Sequence, residues 1–216
     1  MPPPHNLDPS LFEAFLRRLR ADGVSAVRYL LFEGRGDPLM NPAVGRMVAA
    51  AKDAFPGVLT NVVSHGSYEW QPWLVSCGLD ILTLSVDGAR PGSYGRYRVG
   101  GDLEEVLALM RRACGEGARA RPPLRVVWRY ILFEWNDGDD ELAEAGALAA
   151  SFGAEIRFLR THSDGRSRRF PDESSLSSAL RRLGLEGAGQ STFELKSREG
   201  TRSSLDLVEA EHVAAL

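Results

Sequence analysis

The sequence predicts an α/β domain organised on a parallel sheet, and three observations predict it. Short runs rich in β-branched and aromatic residues alternate with segments of helical periodicity as far as Arg160, the pattern that βα units produce. Four of these runs end in polar or Gly-rich turns: Glu33 to Asp37, Ser64 to Gly66, Ser85 to Asp87 and Glu134 to Asn136. In a parallel sheet such ends lie on one side, where ligands bind. The chain of 216 residues is 44% hydrophobic and 25% charged, ordinary for one globular domain with a full core.

Each element has its own signal. Asp8 can cap a first helix with Pro9 in its first turn, Leu11, Phe12, Phe15, Leu16 and Leu19 at helical spacing, and Asp22-Gly23 as its end. Ala26 to Phe32 reads as a strand. A helix from Asn41-Pro42 to Ala54, a strand from Val58 to Val63 and a short helix from Trp70 to Val75 follow. Ile81 to Val86 is a buried strand closed by Asp87-Gly88, a turn dipeptide. A long polar loop with two tyrosines leads to Gly100-Gly101 and to Asp102, the expected cap of a helix from Leu103. Leu124 to Phe133 is a strong strand. Asn136 is expected to cap the helix from Glu141 to Phe152, with Asp139 in a capping-box-like position. Ala154 to Leu159 is the last clear strand. The polar segment that begins at Thr161 reads as a mobile linker, with short helices over Ser178–Leu185 and Ser204–Leu216. The expected division is a core over 1–160 and a tail over 161–216.

Composition also excludes. A formal charge of −3 gives no reason to expect nucleic acid or a membrane surface as a partner. No apolar run approaches membrane-spanning length, and MPPPHNLDPS has neither the basic start nor the apolar run of a secretory signal. A cytoplasmic protein is expected. Cys77 and Cys114 are far apart and read as reduced, apolar residues. Two thiols do not make an iron–sulfur site, which takes three or four.

The strand ends nominate Ser85, Asp87 and Arg98 for a small polar ligand, because the loop that carries them is long for a βα connection. Taken singly, Asp-Gly after a strand is more often a turn and a loop Arg more often a solvated charge.

Taken together and in order, these segments resemble the radical S-adenosylmethionine enzymes. Gly34-Arg35-Gly36-Asp37-Pro38 is similar to the Gly-Gly-Glu-Pro-type motif after their second strand. Ser85-x-Asp87-Gly88, Tyr94, Arg98, Gly100 and Gly101 resemble the segment after their fourth. Ser64-His65-Gly66 stands where Thr-Asn-Gly is frequent, and Phe133-x-x-Asn136 is similar to the end of the fifth strand. The resemblance runs from Leu11 to Arg160, about two-thirds of the chain, and is nearest to the peptide- and carbohydrate-modifying members with a C-terminal cysteine-rich (SPASM-type) extension. It implies a partial TIM-like (β/α) barrel whose first strand and cluster loop are missing. It also implies S-adenosylmethionine as cofactor, bound by Gly34, Gly36, Asp37, Ser64, Ser85, Asp87 and Arg98. In that scheme Gly34 to Asp37 meet the methionyl amino group and Ser85 the ribose or the carboxylate. Arg98 pairs with the carboxylate, Asp87 serves loop geometry or the substrate side, and His65 is a loop residue.

The departure is the Cys-x3-Cys-x2-Cys loop that holds the family's [4Fe-4S] cluster, which this sequence lacks. The expected function is therefore a domain that binds S-adenosylmethionine and supports radical modification of a substrate once an upstream cluster-binding segment completes it, inactive as it stands. Two alternatives remain open: a noncatalytic relative that binds a nucleotide or a partner protein, and an acid–base enzyme using Asp37, His65 and Asp87. A missing first strand also leads one to expect self-association through an exposed sheet edge.

Overall fold

The computed structural model describes residues 6–34 and 36–186. The helix expected over Ser204–Leu216 lies outside the described residues. The strands β1 (Tyr29–Phe32), β2 (Leu59–Ser64), β3 (Ile81–Ser85), β4 (Arg125–Leu132) and β5 (Glu155–Arg160) form one open parallel sheet in the order β1-β2-β3-β4-β5. The predicted α/β class and the partial TIM-like barrel are thus the fold observed. Two compact units divide the chain. The first comprises Met1–Ser85, Glu104–Val127 and Phe152–Ala154; the second comprises Val86–Leu103, Trp128–Ser151 and Glu155–Leu216.

In the first unit, α1 (Pro9–Ala21) begins as its sequence demands. Asp8 accepts the backbone N–H groups of Ser10 and Leu11, Pro9 fills the first turn, and Asp22 caps the end. Phe12 and Leu16 are buried and turn the helix onto α2 (Val44–Ala54), where Arg46 pairs with Glu13 at 2.8 Å. Register follows from the β1–β2 ladder, Tyr29 to Leu59 through Phe32 to Val62, and from β2–β3, Asn61 to Ile81 through Ser64 to Leu84. The first strand starts at Tyr29 rather than Ala26, because the ladder's first bond runs from Leu59 N–H to Arg28 O and nothing pairs before it. β3 is buried at all five positions, which explains its continuous apolar run.

Within the second unit the long loop after β3 is not irregular. It contains α3 (Pro91–Tyr97), a helix the sequence reading missed. Gly88 is required there: a Cβ would lie 2.5 Å from the Tyr94 nitrogen. The helices α4 (Leu103–Gly117), which falls in the first unit from Glu104 on, and α5 (Asp139–Phe152), in the second, form where their periodicity predicts, with Glu104–Glu105 and Asp139–Glu141 in their first turns. Asn136 does not cap α5. Its side chain accepts Phe133 N–H and donates to the Asp87 and Ile131 carbonyls.

The segment expected to be a mobile linker is packed. Phe170 is buried, and α6 (Glu173–Arg182) is opened by a capping box between Asp172 and Ser175 and buries Leu176, Ala179 and Leu180. Three apolar residues at helical spacing outweigh a polar composition when they find a surface. No described helix is long and apolar enough to cross a membrane.

Candidate functional site

Two polar clusters lie at strand ends, one in each unit. The first surrounds Asp37, beyond β1. Its Oδ1 accepts Leu39 N–H at 2.9 Å and caps the short 3-10 turn Pro38–Met40. Its Oδ2 accepts the Ser64 hydroxyl at 2.9 Å and the His65 backbone N–H at 2.8 Å. Ser64 Oγ in turn accepts Gly66 N–H. The carboxylate thus ties the loop after β1 to the end of β2, and its lone pairs are largely committed. His65 Nε2 stands 3.5 Å from Asp37 Oδ2, while Nδ1 accepts Ser67 N–H. Nδ1 is thus engaged, Nε2 faces the Asp37 carboxylate, and the ring lies against Tyr68 at 4.9 Å. Burial, and then the Asp37 charge, push the Tyr68 hydroxyl above its ordinary pKa. His65 lies in the loop after β2, its Nδ1 used by the local turn. Gly34 and Gly36 are exposed, and a Cβ at either would meet nothing. Ser85 is buried at the end of β3.

The second cluster surrounds Asp87, fully buried after β3. Oδ1 accepts Ile131 N–H at 2.8 Å, and Oδ2 accepts Arg98 Nε at 2.8 Å and Nη2 at 2.7 Å. Burial pushes the Asp87 carboxyl above the usual range, and the Arg98 guanidinium opposes that shift. Arg98 keeps about a quarter of its side chain in solvent, 23%. Its Nη1 has no partner among the described residues. A guanidinium fixed along one edge by a buried acid, with the other edge available, is preorganised for a second carboxylate.

Sequence reasoning missed what holds this loop in place. Glu141, from the first turn of α5, accepts Ala89 N–H at 2.9 Å and the Ser93 hydroxyl, and it lies against the Tyr130 hydroxyl. Tyr130 donates to the Asn136 carbonyl at 2.8 Å, and burial and then Glu141 raise its pKa. An acid in a helix's first turn reads as a dipole partner, so nothing in the sequence marked Glu141 as buried. Asp87 and Arg98 were nominated as separate ligand groups, whereas the structure joins them to each other. The acid–base alternative loses support here, since both oxygens of Asp87 are occupied and no solvent reaches them.

No family model matches the chain. The type III pantothenate kinase of Cupriavidus pinatubonensis (strain JMP 134 / LMG 1197) is 30% identical over 212 residues, spanning 84% of this chain and 74% of the kinase. By sequence, the chain belongs to that kinase's family. Its shape matches another protein. The crystal structure of methylornithine synthase (PylB) superposes with a TM-score of 0.63 over 98% of this chain and 74% of that one, at 14% identity. Hydroxymethylglutaryl-CoA lyase from Pseudomonas aeruginosa gives 0.48 over 85% of this chain and 58% of that one, also at 14% identity. At such identities the first likeness concerns fold alone. Fold and sequence therefore point to different relatives, and the side chains themselves have to decide what the site can hold.

Proposed function

We propose that this chain is a radical-S-adenosylmethionine-like domain whose strand ends take the cofactor's amino-acid end, and that radical chemistry belongs to it only when an upstream cluster-binding segment is supplied. The observation that carries the reading is Arg98, aligned by buried Asp87 through Nε and Nη2 and with 23% of its side chain exposed. The fold likeness to methylornithine synthase supports the same class of domain. Bound there, S-adenosylmethionine would supply an activated sulfonium carbon. Arg98 would hold the methionyl carboxylate, and the Asp87–Ile131 bond would stop the guanidinium from turning away. Ser64 acts within the first unit by holding Asp37.

An iron–sulfur cluster does not fit the residues present. The sequence has two cysteines, of which Cys114 is buried and Cys77 half-buried. Among the described residues no three His, Cys, Asp or Glu side chains are grouped to hold a metal.

The kinase relative favours a second reading, phosphoryl transfer to pantothenate. Such a site needs carboxylates free for a divalent cation. At these strand ends Asp37 and Asp87 are already committed.

Calorimetry with S-adenosylhomocysteine separates the two. The first reading expects binding that weakens at least tenfold in Arg98→Lys, which keeps the charge but loses the fork. Equal affinity in wild type and variant sinks it. ATP-dependent formation of a phosphorylated pantothenate, with no S-adenosylhomocysteine binding, would put the kinase reading in its place.

A further inference from the structure

We infer that a second site, in the cavity beyond β4 and β5, recognises the zwitterionic head of an α-amino acid. The cavity holds about 210 Å³ and is lined by Glu134, Asp164, Gly165, Arg166 and Arg168. That volume is below the range of pockets for drug-sized ligands and suits a compact head group.

Its charges are the first argument. Two cations and two anions, all exposed, line one small depression, and none of the four side chains has an ion pair or hydrogen bond among the described residues. Other charges of the same unit do pair: Arg169 with Asp139, Arg157 with Glu155 at 2.6 Å, and Arg90 with Glu144 at 2.7 Å. Two arginines with their donors uncommitted can take a carboxylate in a fork, and two carboxylates can take an ammonium. A zwitterion satisfies both sets at once, whereas a simple anion leaves Glu134 and Asp164 facing it.

The second argument is that the rim is built. Phe133 bridges Arg166 in antiparallel fashion, and Glu134 N–H donates to the Gly165 carbonyl at 2.9 Å. Ser167 is buried and donates to Asp137 at 2.5 Å, and its Oγ accepts Phe170 N–H. Gly165 has φ of 75°, and a Cβ there would lie 2.5 Å from the Trp135 ring. That ring stacks on Phe133 at 4.6 Å with the planes 2° apart, and Arg96 covers it at 4.7 Å. The loop after β5 is thereby packed onto an aromatic floor, and the four charged side chains project into solvent. Trp135 Nε1 is buried without a hydrogen-bond partner among the described residues, a further donor beside the same loop.

The inference does not rest on the cofactor reading, since a free amino acid can bind whether or not S-adenosylhomocysteine does. The test is an NMR titration of the full chain with L-alanine, propionate and alanine methyl ester. Alanine should shift the Gly165 and Arg166 amides, while propionate, without an ammonium, and the ester, without a carboxylate, should bind at least tenfold more weakly. The double variant Arg166→Ala/Arg168→Ala should lose alanine binding by tenfold or more. Glu134→Gln, which keeps shape, should weaken alanine but not propionate. Competition of alanine by S-adenosylhomocysteine would identify the head group's source as the nucleoside, and its absence a free amino acid. Propionate binding as tightly as alanine, unchanged affinity in the double variant with its melting temperature preserved, or no shift at 50 mM alanine would each overturn the inference.

Discussion

Asp37 and Asp87 are the same residue type, one following β1 and the other following β3, and the structure uses them in opposite ways. Asp37 keeps 7% of its side chain exposed and is satisfied by neutral donors: Leu39 N–H, the Ser64 hydroxyl and His65 N–H. Asp87 is at 0% and is neutralised by a guanidinium. A carboxylate surrounded by N–H and O–H groups organises backbone. One buried against an arginine fixes a charge in space, and its own desolvation is the cost of doing so. The difference teaches where recognition resides: the fixed charge at Arg98 can be offered to a ligand, whereas the Asp37 cluster is largely closed upon itself.

Breaking the ion pair should have the largest effect. Arg98→Ala strands a buried carboxylate and is expected to cost ~3–5 kcal/mol in urea unfolding. A loss below about 1 kcal/mol would mean that Asp87 is reached by water or simply protonated at little cost. Asp37→Asn is next. Whichever way the amide turns, its NH2 faces donors now served by an oxygen, at an expected cost of ~1–3 kcal/mol. If this variant proved worse than Arg98→Ala, the contrast between the two clusters would be reversed. A smaller effect lies in pH. The Asp87 pKa is raised on folding, so the folded protein binds this proton more tightly than the unfolded chain. Its contribution is full below the ordinary aspartate value of 3.8 and is lost as pH rises through the folded value. Stability of the wild type relative to Asp87→Asn should therefore fall with pH across that window. A relative rise would show that Arg98 outweighs burial. The smallest effect concerns Cys114, whose thiol burial pushes up to about 11. It should alkylate far more slowly at pH 8 than a free thiol, whose pKa is ~8.5, and rapid labelling would mean that α4 opens.

Much of this was written locally. The strands at Leu59, Ile81, Arg125 and Glu155 and the caps of α1 follow from apolar runs and single turn residues, because helix and strand periods and N-cap chemistry act over a few residues. Gly88 was legible as a turn, though its reason, the close approach of Tyr94, was not. The sequence also determined the class of fold, since strand and helix alternate, and it named Asp87 and Arg98. Tertiary structure alone decided that these two bind each other, that Asn136 serves the Asp87 loop rather than a helix cap, and that Glu141 is buried beneath it. It alone packed the polar segment after β5 and made α3 a helix. The physical reason is range. A carboxylate's partner is chosen by what surrounds it after folding, 44 residues away for Ile131 and 52 for the Glu141–Ala89 bond, and no local pattern carries that distance.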